Sequence, residues 1–321
     1  MPKGSVTVLL ITMDELPNLK KVLANLSRQT VPVEIVVCDN ASSDGTKEFI
    51  ADKGIKYVRN ERNIGTPVFN LGLPLATGDY VFIGATDMEF EPDCMKRLAR
   101  HLDEHEDCGM AVPVNVNGND RARIDIGGSW LSRGFYGGAV HTWPQGTVNM
   151  PFSGVGLVRR SALEKAGGFL YEPSFFIYAE DVDLGLRLLR AGYLTEMLSD
   201  AVLYHLGYQA RKIFTPGQLT TRIERNMLVT MISHLPAGRL AAYFPYAVLL
   251  RIAVIAKDLV KRDWQRARAR AGVLAGLFDV LRDGLARRRK LAGFLGSPSR
   301  TPFFGGFFSE SPLKRIFLSY V

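Results

Sequence analysis

The chain has 321 residues, 47% of them hydrophobic and 22% charged, which excludes a disordered polypeptide and allows a large core in one or two domains. Its three cysteines, Cys38, Cys94 and Cys108, are odd in number, show no metal-ligand spacing and fit a reduced, cytoplasmic setting. The net charge of +8 is unevenly placed, −3 over residues 1–236 and +10 over 237–300, which argues against a general nucleic-acid binder and for a tail region with its own anionic partner, of which a phospholipid surface is the commonest.

In chain order, residues 6–12 predict a buried strand and 16–27 a helix with Leu16, Leu19, Val22, Leu23 and Leu26 on one face. The apolar run over residues 6–11 is too short for a signal peptide and is followed at once by Asp14 and Glu15. Residues 34–38 predict a second strand, and Ser43-Asp44-Gly45 caps a helix running to about residue 52. A short strand over 56–59, a helix over 67–76 and a strand over 80–83 follow. Strands alternating with helices imply right-handed crossovers, an α/β class and a mainly parallel, Rossmann-like sheet. Residues 93–106 predict a surface helix, on which His101 and His105 are expected on a solvated face, and 109–116 another strand. Residues 117–150 are rich in glycine and read as an irregular acceptor-side segment.

Three acidic groups stand directly after apolar runs: Asp39 after Val36-Val37-Cys38, Asp87 after the run from Val81, and Glu180-Asp181 after Phe176-Ile177-Tyr178-Ala179. In an open α/β sheet ligands bind outside the carboxyl ends of the strands, so carboxylates there converge on one crevice. Such a crevice suits Mg²⁺ or Mn²⁺ carrying a diphosphate, and a further carboxylate can take a proton from an attacking hydroxyl. That is the outline of a transferase using a nucleoside-diphosphate sugar. A dinucleotide-dependent dehydrogenase lacks its Gly-X-Gly-X-X-Gly turn here. A nucleotidyltransferase lacks a glycine-rich, arginine-bearing loop after the first strand, where Thr12-Met13-Asp14-Glu15-Leu16-Pro17 stands.

An ordered series of short stretches carries a family resemblance over residues 5 to about 230. It comprises Val8-Leu9-Leu10-Ile11-Thr12, Val37-Cys38-Asp39-Asn40-Ala41-Ser42-Ser43-Asp44-Gly45-Thr46, Asn63-Ile64-Gly65 and Ala76-Thr77-Gly78-Asp79-Tyr80-Val81. It continues through Glu91-Pro92-Asp93, Ser153-Gly154 to Arg159-Arg160, Gly167-Gly168-Phe169, Glu180-Asp181-Val182-Asp183-Leu184 with Arg187, and Tyr204-His205. In this series the chain resembles glycosyltransferases of family 2, of the GT-A nucleotide-diphospho-sugar transferase fold, and more narrowly their rhamnosyltransferase-type members.

The resemblance implies an inverting, non-processive, metal-dependent enzyme with dTDP-rhamnose as the first donor to consider and a lipid-linked, polyprenyl-linked or other cell-envelope glycan as acceptor. It implies donor contacts from Thr12, Asp39, Asn63, Gly65, Asp79, Thr86 and Asp87, with Asp39 accepting a hydrogen bond from the nucleotide base. For Asp39 the plain reading is an Asx turn before a helix. Aligned on Glu91-Pro92-Asp93, the family's acidic triplet falls on Ala85-Thr86-Asp87, so one carboxylate of the triplet, Asp87, would meet the Mg²⁺ or Mn²⁺. Glu89 is expected to be a loop residue. Asp181 is implied as the catalytic base with Glu180 beside it in the acceptor site, while the plain reading of both is an acidic first helical turn. His205 reads equally as a structural histidine and as a metal neighbour. Asp183 and Arg187 are expected to pair internally. Arg222-Ile223-Glu224-Arg225-Asn226 stands where processive members carry Gln-X-X-Arg-Trp, which points to single-sugar addition. The rival in another class is a non-catalytic, membrane-associated sugar-nucleotide binder or scaffold of the same fold.

A catalytic domain is expected over residues 1–236 and a basic helical region over 237–321. Residues 240–256 are apolar but interrupted by Pro245 and Arg251, a poor spanning segment. Trp264, Ala267, Ala271, Leu274, Phe278, Leu281 and Leu285 then recur at helical spacing, with arginines largely outside the stripe, predicting one amphipathic helix over 264–285. Such a helix suits the inner face of the cell membrane, with packing on the catalytic domain or a homodimer as the other occupants. The tail from Ser297 is expected to pack irregularly.

Overall fold

The computed structural model describes residues 1–207, 214–297 and 308–309. Most of the tail expected to pack irregularly lies outside the described residues. The chain packs as two units, one of Met1–Ser129 with Ala139–Gly207, the other of Trp130–Gly138 with Tyr208–Val321. The boundary expected after residue 236 falls inside the second unit.

The first unit opens with a parallel block: β1 (Val6–Thr12), β2 (Val33–Asp39), β3 (Lys56–Arg59) and β4 (Tyr80–Ala85). Helices α1 (Leu16–Leu26), α2 (Thr46–Ala51) and α3 (Phe69–Gly72) lie between them in sequence. Val8, Leu9 and Leu10 of β1 are fully buried, as expected of a central strand covered on both faces. The helix expected over 67–76 is broken into 3₁₀ turns at Thr66–Val68 and Leu73–Leu75 around the single turn of α3. Pro74 has no N–H to bond back to residue 70, so the α pattern cannot run through it.

Next come β5 (Met88–Phe90), α4 (Cys94–Glu104), β6 (Cys108–Asn117), β7 (Ile124–Ile126), β8 (Ser129–Ser132), β9 (Gly137–Ala139) and β10 (Thr147–Asn149), the last four from the segment read as irregular. They are followed by β11 (Gly156–Arg159), α5 (Arg160–Lys165), α6 (Glu180–Arg190) and β12 (Leu194–His205). The main sheet runs β10-β12-β6-β11-β4-β1-β2-β3, with β5 on β12 and β7 on β6. Its central pairings are parallel except where β11 runs against both β4 and β6, and at the margin β10 and β5 run against β12 and β7 runs against β6. One apolar cluster joins α1 and α4 to the sheet and another joins α3, α5 and α6, which gives the layered α/β architecture expected from the alternating strands and helices. On α4 the expectation for His101 fails: it is buried with Met95, Leu98 and Leu102, because Glu196 supplies a polar partner inside. Arg187 and Asp183 pair internally at 2.8 Å, fully buried, and Arg187 also donates to the carbonyls of Ala166 and Phe169.

In the second unit, β8, β9 and β13 (Phe308–Ser309) form a small sheet. Among the described residues four helices belong to this unit: α7 (Pro216–His234), α8 (Ala237–Val260), α9 (Trp264–Ala275) and α10 (Leu277–Leu295). Thr215 and Gln218 form a capping box at the start of α7. Helix α8 runs unbroken through Pro245 and is long and apolar enough to cross a membrane by length and composition, unlike the interrupted segment expected there. Arg251 does not interrupt its outer surface because it turns inward, with Nε 2.8 Å from Glu224 Oε2. The helix expected over 264–285 is two helices meeting at Gly276, whose backbone leaves the α region. Arg270 and Arg287, expected on a polar face, are buried, and Arg270 Nε lies 2.7 Å from Glu224 Oε1. Trp264, Phe278 and Leu285 of the expected stripe stay exposed.

Candidate active site

Strand register creates the site. Thr12 pairs with Asp39 and Ile11 with Ala85, so β1, β2 and β4 end nearly flush, and the residues that follow share one edge of the sheet. At the carboxyl end of β12, His205 pairs with Met88 of β5 and with Asn117 of β6. His205 therefore stands beside the residue following Asp87, with Nε2 3.3 Å from Asp87 Oδ2. The N–H of Leu206 donates to the Asp87 carbonyl at 2.8 Å and holds the two loops together.

Asp39 is wholly buried. Its Oδ1 accepts from the Ser42 N–H at 2.8 Å, the Asx turn that the plain reading expects, and its Oδ2 accepts from the Tyr57 hydroxyl at 2.5 Å. Arg59 Nε lies 3.6 Å from the same oxygen, so the buried charge is balanced as well as hydrogen-bonded. Burial, then the hydrogen bond to Asp39, pushes the Tyr57 hydroxyl well above its ordinary range. Thr12 is buried beside it, and its carbonyl accepts from the Asn40 N–H at 2.9 Å. Thr86, also buried, donates to Glu15 Oε2 at 2.5 Å. Asp44 serves as a cap, though chiefly for the neighbouring helix, accepting from the Leu16 N–H at 2.7 Å.

Asn40 reaches across to the next loop. Its Oδ1 accepts from the Ile64 N–H at 3.0 Å and its Nδ2 donates to the Gly65 carbonyl at 2.9 Å. Asn63 closes the turn by accepting from the Gly65 N–H at 2.8 Å. Gly65 has φ of 74°, and a Cβ there would lie 1.8 Å from the Phe176 carbonyl oxygen. That oxygen accepts from the Thr66 N–H at 2.9 Å. The loop 63–66 is thus laid on the segment leading into α6. Just before α6, Tyr178 and Ala179 hold φ values of 70° and 66°, two successive residues in a region that residues with a Cβ seldom occupy.

Glu180 and Asp181 open α6. Glu180 is buried, and burial followed by the neighbouring Asp181 charge raises its pKa. Asp181 is half-buried, accepts from the Val182 N–H at 2.8 Å, and is also raised by burial. Gly154 lies alongside: a Cβ there would be 3.8 Å from Asp181 Oδ2. Gly154 precedes β11, whose Gly156 pairs with Ile83 of β4, so Asp181 belongs to the same edge as Asp87.

One implied donor residue is elsewhere. Asp79 precedes β4, at the opposite end of the strand from Asp87, roughly 20 Å away for six residues of strand. There its carboxylate accepts from the N–H and hydroxyl of Ser5, both at 2.8 Å, which explains its lowered pKa and leaves it a structural residue. Glu89, expected in a loop, instead lies on β5 opposite Tyr204 of β12, with its carboxylate 3.3 Å from Arg121. Sequence reasoning passed over Glu15, Asn40 and Tyr57, whose partners lie 71, 25 and 18 positions away.

Asp87 and His205 fit a divalent ion. A carboxylate oxygen and an imidazole nitrogen, nearly buried and 3.3 Å apart, have about the spacing of adjacent ligands around an ion with bonds of about 2.1 Å.

The sequence model of Glycosyl transferase family 2 matches residues 7–167, half of the chain. Over 232 residues the chain is 26% identical to an N-acetylglucosaminyl-diphospho-decaprenol L-rhamnosyltransferase of Mycobacterium tuberculosis, covering 62% of this chain and 75% of that protein. The structure of S. aureus TarS 1-349 in complex with UDP-GlcNAc superposes with a TM-score of 0.59 at 16% identity, over 95% of this chain and 99% of that one. GalNAc-T7 with UDP, GalNAc and Mn²⁺ gives 0.62 at 16% identity, over 77% of this chain; this chain spans about half of that one, 51%. At these identities the structural likenesses show the fold.

The two raised carboxyls make stability depend on pH in an unusual direction. Each holds its proton more tightly folded than unfolded, so stability is fullest below the ordinary carboxylate range and declines as pH rises toward neutrality. Glu180→Gln should therefore be more stable than the parent at pH 7, by on the order of 1 kcal/mol, with the difference closing by about pH 4. Urea denaturation at the two pH values measures it; a variant less stable at pH 7 than at pH 4 relative to the parent would reverse the sign.

Proposed function

Because the chain belongs to glycosyl transferase family 2, and is thus a glycosyltransferase, we propose that it moves one sugar, with inversion, from a nucleoside-diphosphate sugar to a polyprenyl-linked or other cell-envelope glycan acceptor. The observation that carries this reading is the meeting of Asp87, His205 and the Glu180-Asp181 pair on one edge of the sheet. A rhamnosyltransferase acting on a decaprenyl diphosphate-linked sugar, matched over 62% of the chain, supports dTDP-rhamnose as the donor to try first and a polyprenyl-linked acceptor.

In this reading Asp181 takes the proton from the acceptor hydroxyl while the oxygen attacks the anomeric carbon from the side opposite the diphosphate. The new C–O bond forms as the bond to the diphosphate oxygen breaks, and the proton stays on Asp181. The raised pKa makes Asp181 a stronger base than an exposed aspartate. Asp39 is wholly buried against Ser42 and Tyr57, so the base contact that the resemblance implies for it requires the loop over 40–42 to give way. Thr12, Asn63, Gly65 and Thr86 shape the donor side, chiefly through the backbone path that Asn40 fixes. A Mg²⁺ or Mn²⁺ ion held by Asp87 and His205 would neutralise the departing diphosphate.

The second unit supports a station on the inner, cytoplasmic face of the membrane. Its helices expose Leu249, Ile252, Val260, Trp264 and Phe278, with Lys261, Arg262, Arg268, Arg289 and Lys290 also exposed. Apolar groups to enter the interface and cations to meet anionic headgroups suit a peripheral attachment.

Asp181→Asn should keep donor affinity within about two-fold while turnover falls by a factor on the order of hundreds or more, read by calorimetry and by release of nucleoside diphosphate. Turnover near the parent's would remove Asp181 from the mechanism. For the second unit, the full chain should co-sediment with vesicles containing phosphatidylglycerol but far less with neutral ones. Trp264→Ser with Phe278→Ser should release most of it. Partitioning indifferent to lipid charge and to both substitutions, with a dimer in solution, would assign this face to a second copy of the chain instead.

A further inference from the structure

At the other end of the main sheet, away from the catalytic edge, a second constellation takes no part in sugar transfer. His101 of α4, Cys108 opening β6 and Glu196 near the start of β12 bring a ring nitrogen, a sulfur and a carboxylate oxygen within 4.8 Å of one another. His101 Nε2 lies 2.7 Å from Glu196 Oε2, and His101 and Cys108 are buried while Glu196 is nearly so. Strands β6 and β12 begin at this end and finish at the other, where Asp87 and His205 stand.

We propose that His101, Cys108 and Glu196 form a structural Zn²⁺ site.

Charge supports it. A thiolate and a carboxylate balance a divalent ion, and with a neutral imidazole the buried assembly carries no net charge. Donor softness supports zinc over the ions of the catalytic edge, since a thiolate selects Zn²⁺ and is a poor ligand for Mg²⁺ or Mn²⁺. Placement supports it too, because the three donors come from three elements whose mutual position is fixed without them. Arg159 donates from Nε to the Cys108 carbonyl at 3.0 Å and from Nη2 to the His105 carbonyl at 2.9 Å and to the Leu102 carbonyl. The His105 ring stacks on His101 with centroids 4.0 Å apart and limits its rotation. Around an ion with bonds of about 2.0–2.3 Å, neighbouring ligand atoms sit roughly 3.3–3.8 Å apart, so the His101–Glu196 contact opens by about half an ångström and the sulfur closes in. Burial, then the Glu196 charge, holds the Cys108 thiol above its ordinary range, with Arg159 opposing, so the thiol is protonated without metal. Zinc binding forms the Zn–S bond and sends that one proton to solvent. The competing arrangement is a metal-free triad in which thiol and imidazole both donate to Glu196.

The test uses the full chain, stripped with chelator and then given one equivalent of ZnCl₂ or CoCl₂ in millimolar MgCl₂. The site predicts one Zn²⁺ per chain kept through gel filtration, a melting temperature raised by about 5 °C or more, and a sulfur-to-cobalt charge-transfer band in the near ultraviolet. Cys108→Ser should lose the band, and Glu196→Gln should weaken Zn²⁺ at least ten-fold while keeping the sulfur. Asp87→Ala should retain all three signals, which separates this ion from any at the catalytic edge. If Cys108→Ser does not fold, Glu196→Gln and the parent's cobalt spectrum decide. No retained zinc in the parent, or a cobalt spectrum without a sulfur band, would leave the metal-free triad and overturn the site.

Discussion

Between Asn63 and Thr66 the backbone passes so close to the Phe176 carbonyl that only a residue without a side chain can stand at position 65. Positive φ requires glycine there on its own account, and the contact requires it again. What this approach holds together is the donor-side loop, fixed by Asn40 at the end of β2, and the segment that delivers Glu180 and Asp181 at the start of α6. The flush ends of β1, β2 and β4 place one half of the site; this contact places the other half against it. The left-handed pair Tyr178 and Ala179 is part of the same arrangement, since it turns the chain from the Phe176 contact into the helix.

Buried charge is handled in two ways in this protein. Asp183 with Arg187, and Glu224 with Arg251 and Arg270, are matched pairs whose opposite charges meet at 2.7–2.8 Å. Asp39 is matched likewise by Tyr57 and Arg59. Glu180 and Asp181 are two acids placed side by side without an opposite charge among the described residues: burial raises both, and the Asp181 charge raises Glu180 further. The matched clusters also revise the meaning of the basic region. Arg251, Arg270 and Arg287 are inside the second unit, so part of its positive excess belongs to its core and only the remainder faces outward.

The parallel block and the edge on which Asp39 and Asp87 stand were legible because buried strands write themselves as continuous apolar runs with the acid at the end, whereas Asp181 reaches that edge from the first turn of α6, after an apolar run that is not a strand. Asp79 was implied as a donor contact by the resemblance alone, and it stands at the amino end of β4, where chain direction makes it a partner of Ser5. Local pattern also failed at 67–76, where Pro74 outweighs the apolar spacing, and at 264–285, where Gly276 divides one helix into two. His101 looked solvated because its acidic neighbours in sequence are exposed; the partner that draws it inward, Glu196, lies 95 positions on. Glu15, Asn40 and Tyr57 were hidden for the same reason, since pairings across the fold leave no periodic trace.

We propose that Asp87 and His205, brought to 3.3 Å by the pairing of β5 with β12, hold the metal ion of the donor complex. Pulsed electron paramagnetic resonance of the protein with Mn²⁺ and a nucleoside diphosphate tests this most directly, because an imidazole nitrogen bound to Mn²⁺ modulates the echo. A nitrogen modulation is expected in the parent and should disappear in His205→Gln while nucleotide remains bound. A Mn²⁺–nucleotide complex with no histidine nitrogen in the parent, or the same modulation in His205→Gln, would contradict it.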